Sequence, residues 1–95
     1  MNQYEALYII DVALDEETNR SVIEKFKGIV EANGGEVTDV NEWGKRKLAY
    51  AIDYKTEGYY VLMSFASAPE LPKELERNYK NDERILRYMV TRKEA

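Results

Sequence analysis

Residues Tyr4 to Val12 alternate as a strand does. Tyr4, Ala6, Tyr8 and Ile10 fall on one side, and Glu5, Leu7, Ile9 and Asp11 on the other. Both sides carry apolar groups, so the second side also has something to bury. The period then changes. Asp15 followed by Glu16, Glu17 and Thr18 is a helix start with an N-cap and an acidic first turn. Val22, Phe26, Ile29 and Val30, with Ile23 beside them, recur at helical spacing. Asn33-Gly34-Gly35 ends that helix, because glycine takes the left-handed conformation without penalty.

Val37 to Asp53 reads as one long strand-like stretch interrupted at Gly44, with Leu48, Tyr50 and Ile52 alternating after the interruption. Residues 59–65 (YYVLMSF) are rich in β-formers. The short polar stretch 54–58 between them predicts a hairpin turn. Pro69 and Pro72 punctuate the next entry, and Leu71, Leu75 and Tyr79 fall four apart, as on a helix of about three turns. Asn81-Asp82 breaks it. Residues 85–91 (ILRYMVT) read as the last strand, with Tyr88 and Val90 toward the core and Arg87 and Met89 away from it.

Strand, helix, strand, strand, helix, strand is the split β-α-β pattern. Right-handed crossovers place both helices on one face of the sheet. The expected fold is therefore α+β: a ferredoxin-like sandwich with a four-stranded antiparallel sheet, two helices on one face and the other face open. With no linker, no repeat and 95 residues in all, residues 1–95 are expected to form one domain. On the open face Leu7, Ile9, Tyr60, Leu62 and Met89 would make a continuous apolar patch, the kind of surface that marks a binding site. Arg87 would lie beside it, with Arg92 and Lys93 following the strand.

Composition removes most enzymatic chemistry. The chain has no cysteine and no histidine. Thiolate nucleophiles, disulfides and the commonest general base and metal ligand are all absent. Ser21, Ser64 and Ser67 have no histidine to activate them. The paired acids Glu16-Glu17 and Asp82-Glu83 fall at helix edges and turns, where acids serve capping and solubility. No loop has the ligand density of a cation site, and Gly34-Gly35 is a turn, not a phosphate cradle. No cofactor or metal is expected. The start, MNQYEALYII, lacks the basic and apolar regions of a signal peptide, and no apolar run is long enough to span a bilayer.

Charge changes the picture further. The formal net charge is −4, yet it is unevenly spread. Residues 1–44 carry three basic and ten acidic side chains, and residues 45–95 eleven basic and eight acidic, so the first part is net −7 and the second +3. A chain that segregates charge in this way can present a basic face despite its overall sign. The densest signal is Trp43-Gly44-Lys45-Arg46-Lys47-Leu48-Ala49-Tyr50. Three consecutive cations after a strand-breaking glycine can reach phosphate oxygens. Trp43 and Tyr50 flank them, placed to stack on bases or on a partner's side chain. The competing reading is a solubilising hairpin with the tryptophan packed in the core.

These residues resemble the bacterial small-subunit ribosomal protein S-six family. Glu42 to Ile52 (EWGKRKLAYAI) is similar to the family's W-G-[KR]-R-x-L-A-Y-x-I core. Tyr4-Glu5, residues 60–63 (YVLM) and residues 89–92 (MVTR) add to the likeness, which spans essentially the whole chain. The chain departs from it at Asn2-Gln3, where many members carry Met-Arg, and at Ala51, where many carry proline. The resemblance implies a structural constituent of the 30S subunit in the bacterial cytoplasm that acts in translation and is not an enzyme. It implies binding to the central domain of 16S ribosomal RNA together with ribosomal protein S-eighteen, a small basic protein. Carried over by position, Lys45, Arg46 and Lys47 would face RNA, and Arg87, Arg92 and Lys93 would face it or lie near it. Leu7, Ile9, Trp43, Tyr50, Tyr60, Leu62 and Met89 would form the protein-partner face.

Two other functions fit the same topology. An acylphosphatase-like hydrolase needs an anion cradle near the first strand, where this chain instead places Asp11, Asp15, Glu16 and Glu17. A homodimeric ligand-sensing domain would use the open face for a second copy. A single-strand RNA reader also shares the fold, and Gly58-Tyr59-Tyr60 is a fragment of its usual aromatic motif.

Overall fold

A computed structural model describes residues 1–12, 15–52 and 55–93. Six elements follow one another: strand β1 (Asn2–Asp11), helix α1 (Glu16–Ala32), strands β2 (Glu36–Ile52) and β3 (Lys55–Ser67), helix α2 (Leu71–Asn81) and strand β4 (Ile85–Arg92). The strands form one sheet in the order β2-β3-β1-β4. Every neighbouring pair is antiparallel. This is the ferredoxin-like α+β architecture expected from the sequence.

The caps explain where the helices begin and end. The Asp15 carboxylate accepts a 2.7 Å hydrogen bond from the Thr18 backbone N–H, satisfying one of the orphan donors of α1. Hydrogen bonding from the Thr18 side chain, and then from its backbone N–H, holds the Asp15 carboxyl below its ordinary pKa. At the other end Gly34 adopts φ +80°, which a side chain resists. Pro72 sits in the first turn of α2, where a missing N–H costs nothing.

One face of the sheet carries the core. Tyr4, Ala6, Tyr8 and Ile10 of β1 and Val61, Met63 and Phe65 of β3 are buried under Val22, Ile23, Phe26 and Val30 of α1 and Leu71, Leu75 and Tyr79 of α2. The Tyr8 ring lies 5.5 Å from Phe26 and 5.0 Å from Tyr79, so one strand residue touches both helices. Tyr88 extends the aromatic cluster, its ring 5.5 Å from that of Tyr79. Behind α2 the nearly buried Asp82 carboxylate accepts hydrogen bonds from the Arg84 backbone and guanidinium and from Lys25 Nζ at 2.9 Å. These donors, Arg84 foremost, hold the Asp82 carboxyl far below its ordinary pKa. The network ties the start of β4 to α1.

The second strand is the long, interrupted strand expected from the sequence. It does not stop at Gly44. It runs the full 17 residues, but its pairing with β3 slips three times. Thr38 and then Trp43 are extra residues opposite none. Gly44 follows the second slip with φ +85°, so the glycine marks a β-bulge and not a strand end. The third slip is larger. Lys47 pairs with Glu57 and Ile52 with Lys55, so four residues, Leu48 to Ala51, stand opposite the single residue Thr56. Of the hairpin turn expected at 54–58, residues 55–58 already belong to β3, and residue 54 lies outside the described residues.

Candidate nucleic-acid interface

Leu48 to Ala51 cannot lie flat in the ladder, because four residues oppose one. This segment arches over the face of the sheet that the helices leave uncovered. The result is a cleft of about 190 Å³ lined by Leu7 and Ile9 of β1, Leu48, Ala49, Tyr50 and Ile52 of the arch, Tyr60 of β3, and Arg87 and Met89 of β4, with Tyr88 at its edge. The arch reaches across the width of the sheet. Tyr50 belongs to the strand at one edge, yet the Arg87 guanidinium of the opposite edge strand lies 5.4 Å from its ring centroid.

A glycine makes room for the arch. Gly58 lies beneath it. A Cβ at that position would come within 2.2 Å of Ile9 Cγ2 and 3.4 Å of Leu48 Cδ2. Ile9 is thereby only 6% exposed, although it faces away from the helices. The apolar groups on both sides of the first strand are thus both covered, the core side by helices and the Ile9 end of the other side by the arch.

Beyond the arch the face is open. Leu7, Tyr60 and Leu62 are half-buried, and Met89 is 53% exposed. Tyr50 is 59% and Trp43 38% exposed, so the tryptophan is not a core residue. Its ring lies nearly parallel to that of Tyr60, with centroids 6.2 Å apart. The Arg46 guanidinium sits 5.4 Å from the Trp43 ring. A second shallow hollow runs between Trp43, Leu7, Leu62 and Met89, bordered by Glu5 and Thr91.

The six basic residues singled out from sequence do not share one surface. Residues directly opposite in an antiparallel pair lie on the same face. Arg46 pairs with Gly58, and Arg87 with Ile9, so both belong to the uncovered face. Lys45 pairs with Tyr59 and Lys47 with Glu57, which lie on the helix-bearing side along the β2 edge. Arg92 pairs with Tyr4, also on the helix side, and its guanidinium donates to Asn2 Oδ1 at 3.1 Å. Lys93 follows the strand end, held by its backbone N–H on the Gln3 carbonyl at 2.8 Å. Arg87 and Arg92 are five residues apart on one strand, roughly 17 Å. No carboxylate forms an ion pair with Lys45, Arg46, Lys47, Arg87, Arg92 or Lys93 among the described residues.

The uncovered face is polarised along its strands. Arg46 and Arg87 mark the arch end. Glu5 and Asp39, both paired with Ser64, mark the other end. On the opposite side of the sheet, Tyr59 donates a 2.7 Å hydrogen bond to Glu42, which pushes the phenol pKa up to about 12. Leu48, Ala49 and Ile52 belong to the cleft but were not among the expected partner-face residues. Their one sequence signal is the apolar alternation after the cation run.

The comparisons agree with this architecture. The family model described as "Ribosomal protein S6" matches residues 3–92. The chain belongs to the ribosomal protein S6 family. Small ribosomal subunit protein bS6 of Alkaliphilus metalliredigens is 54% identical over 92 residues, covering 97% of each chain. The bS6 protein of Clostridium novyi is 50% identical over 94 residues, covering 99% of each. The crystal structure of 30S ribosomal protein S6 from Thermotoga maritima superposes with a TM-score of 0.92 at 31% identity, over 97% of this chain and 87% of that one. Membership of the S6 family makes the chain a structural protein of the small ribosomal subunit and not an enzyme.

Proposed function

We propose that this S6 protein holds the central domain of 16S ribosomal RNA jointly with ribosomal protein S-eighteen, in the cytoplasm, as the 30S subunit assembles. The observation that carries the reading is the uncovered sheet face: apolar in the middle, with two arginines that no carboxylate neutralises among the described residues. An apolar surface of this kind is stable in water only at a cost, and a protein partner removes it. The unpaired cations are free to neutralise phosphates and release counterions.

In this reading Lys45 and Lys47 reach RNA from the β2 edge and Arg46 from the open face. Arg87 borders the protein contact, and Arg92 and Lys93 meet RNA at the far end of β4. An acidic chain beside a basic partner gains in encounter rate and orientation. Joint binding of the protein, S-eighteen and a central-domain RNA fragment, followed by filter retention, tests it. The Arg46→Glu and Lys47→Glu double variant is expected to abolish joint binding, and affinity is expected to fall steeply with salt. Retention of full affinity by that variant would overturn the RNA assignment of these residues.

A further inference from the structure

The cleft under the arch has a chemistry of its own. Most of its lining is apolar, from Leu7, Ile9, Leu48, Ala49, Ile52 and Met89, and its polar groups are those of Tyr50, Tyr60, Tyr88 and Arg87. A nucleobase buried among the aliphatic side chains would turn much of its polar edge toward groups that cannot bond it, which is expensive. An apolar side chain meets no such cost, and about 190 Å³ accommodates one. The charge at the mouth is Arg87, stacked on Tyr50 and in no ion pair among the described residues. Arg46 stands at the same end of the face, whereas Glu5 and Asp39 stand at the other.

We propose that the cleft seats one aliphatic side chain of a protein segment whose neighbouring residue is acidic and pairs with Arg87. The inference rests on the reading that a protein docks on this face, and it adds the chemistry and direction of the docked segment. Even a partner that is basic overall must present a carboxylate at the arch end, because a cation there would meet Arg46 and Arg87. The polarity of the face orients the segment: its acidic part lies over the arch end and any basic part over Glu5 and Asp39.

The test uses the full chain and two capped pentapeptides, acetyl-Gly-Asp-Leu-Asp-Gly-amide and acetyl-Gly-Lys-Leu-Lys-Gly-amide, with a uridine oligonucleotide as the nucleic-acid probe. Titrations are followed by the methyl NMR signals of Leu7, Ile9, Leu48, Ile52 and Met89. The acidic peptide is expected to shift these signals saturably, with the lysine peptide at least about threefold weaker, as an exposed ion pair allows. Arg87→Gln, an exposed substitution that leaves the core intact, is expected to reduce the difference between the peptides to within error.

Equal or tighter binding of the lysine peptide would overturn the proposal, as would no saturable shift below about 10 mM, a weak limit even for a small ligand. Saturable shifts caused by the oligonucleotide and competed by neither peptide would overturn it in favour of an RNA cleft. The two readings fail separately: if joint binding with S-eighteen and RNA is unchanged by Arg87→Gln and by cleft-filling Ala49→Phe, the docking reading stands and the cleft assignment falls, whereas absence of any joint binding by the parent protein, with the acidic peptide still bound in the cleft, overturns the docking reading alone.

Discussion

Arg87 and Tyr50 are in contact, guanidinium over ring at 5.4 Å, although their strands are the two opposite edges of a four-stranded sheet. The contact exists because β2 carries more residues than β3 can pair, and the surplus crosses the face. The contact therefore closes the arch over Ile9. An exposed cation–π contact contributes about 0.5–1 kcal/mol. Tyr50→Ala is expected to leave the midpoint of chemical denaturation almost unchanged while speeding amide exchange at residues 48–52. Unchanged exchange in that segment would show that the arch is held by its aliphatic contacts alone.

Gly58 is where the arch and the sheet come closest. A methyl there would lie 2.2 Å from Ile9 Cγ2, and a β-branched side chain has little rotamer freedom to retreat. Gly58→Ala is expected to destabilise the protein by about 1–3 kcal/mol, the usual cost of overpacking. Urea denaturation measures it, and a loss below about 0.5 kcal/mol would mean that the arch simply lifts.

The aromatic cluster gives a paired prediction. The hydroxyls of Tyr8 and Tyr79 are buried without a hydrogen-bond partner among the described residues, and burial pushes both phenol pKa values up. Removing such a hydroxyl takes away no bond. Tyr79→Phe is expected to change stability by less than about 1 kcal/mol, in either direction. Phe26→Ala, which removes a ring stacked 4.2 Å from Tyr79, is expected to cost about 3–5 kcal/mol. Comparable losses in the two variants would show that the Tyr79 hydroxyl is bonded in solution.

Asp82 predicts a pH dependence. Its carboxyl is held far below the ordinary value, chiefly by Arg84 and then by Lys25. A depressed carboxyl stabilises the fold fully above its unfolded pKa, about 3.9, and loses that contribution as pH falls toward the folded value. Asp82→Asn is expected to cost about 1–3 kcal/mol near neutral pH. The gap between parent and variant should stay constant down to about pH 5 and narrow below about pH 4. A gap independent of pH down to about pH 3 would mean that Asp82 acts by shape and not by charge.

Gly44 takes a left-handed backbone in open space, where a Cβ would meet nothing. Gly44→Ala is therefore expected to cost only the backbone term, about 1–2 kcal/mol, and to loosen the bulge that presents Trp43. Protection of the Trp43 indole from a collisional quencher measures the second effect. An unchanged quenching constant would separate the bulge from the placement of the ring.

The order of elements, the N-cap at Asp15, the core residues from Tyr8 to Tyr79 and the family itself were all legible in the sequence. They follow from local rules: period 2 or 3.6, capping chemistry and the W-G-K-R-K-L-A-Y run. The same alternation assigned Leu7, Ile9, Tyr60, Leu62 and Met89 to the uncovered face. What the run of three cations does in space was not legible. Adjacent strand residues point to opposite sides, and the two slips in register around Trp43 and Leu48 decide which. Only the pairing of Arg46 with Gly58, and of Lys45 and Lys47 with Tyr59 and Glu57, separates the one arginine from its neighbours. The cleft depends likewise on how many residues of β2 the partner strand can match, a long-range count that no window along the chain contains.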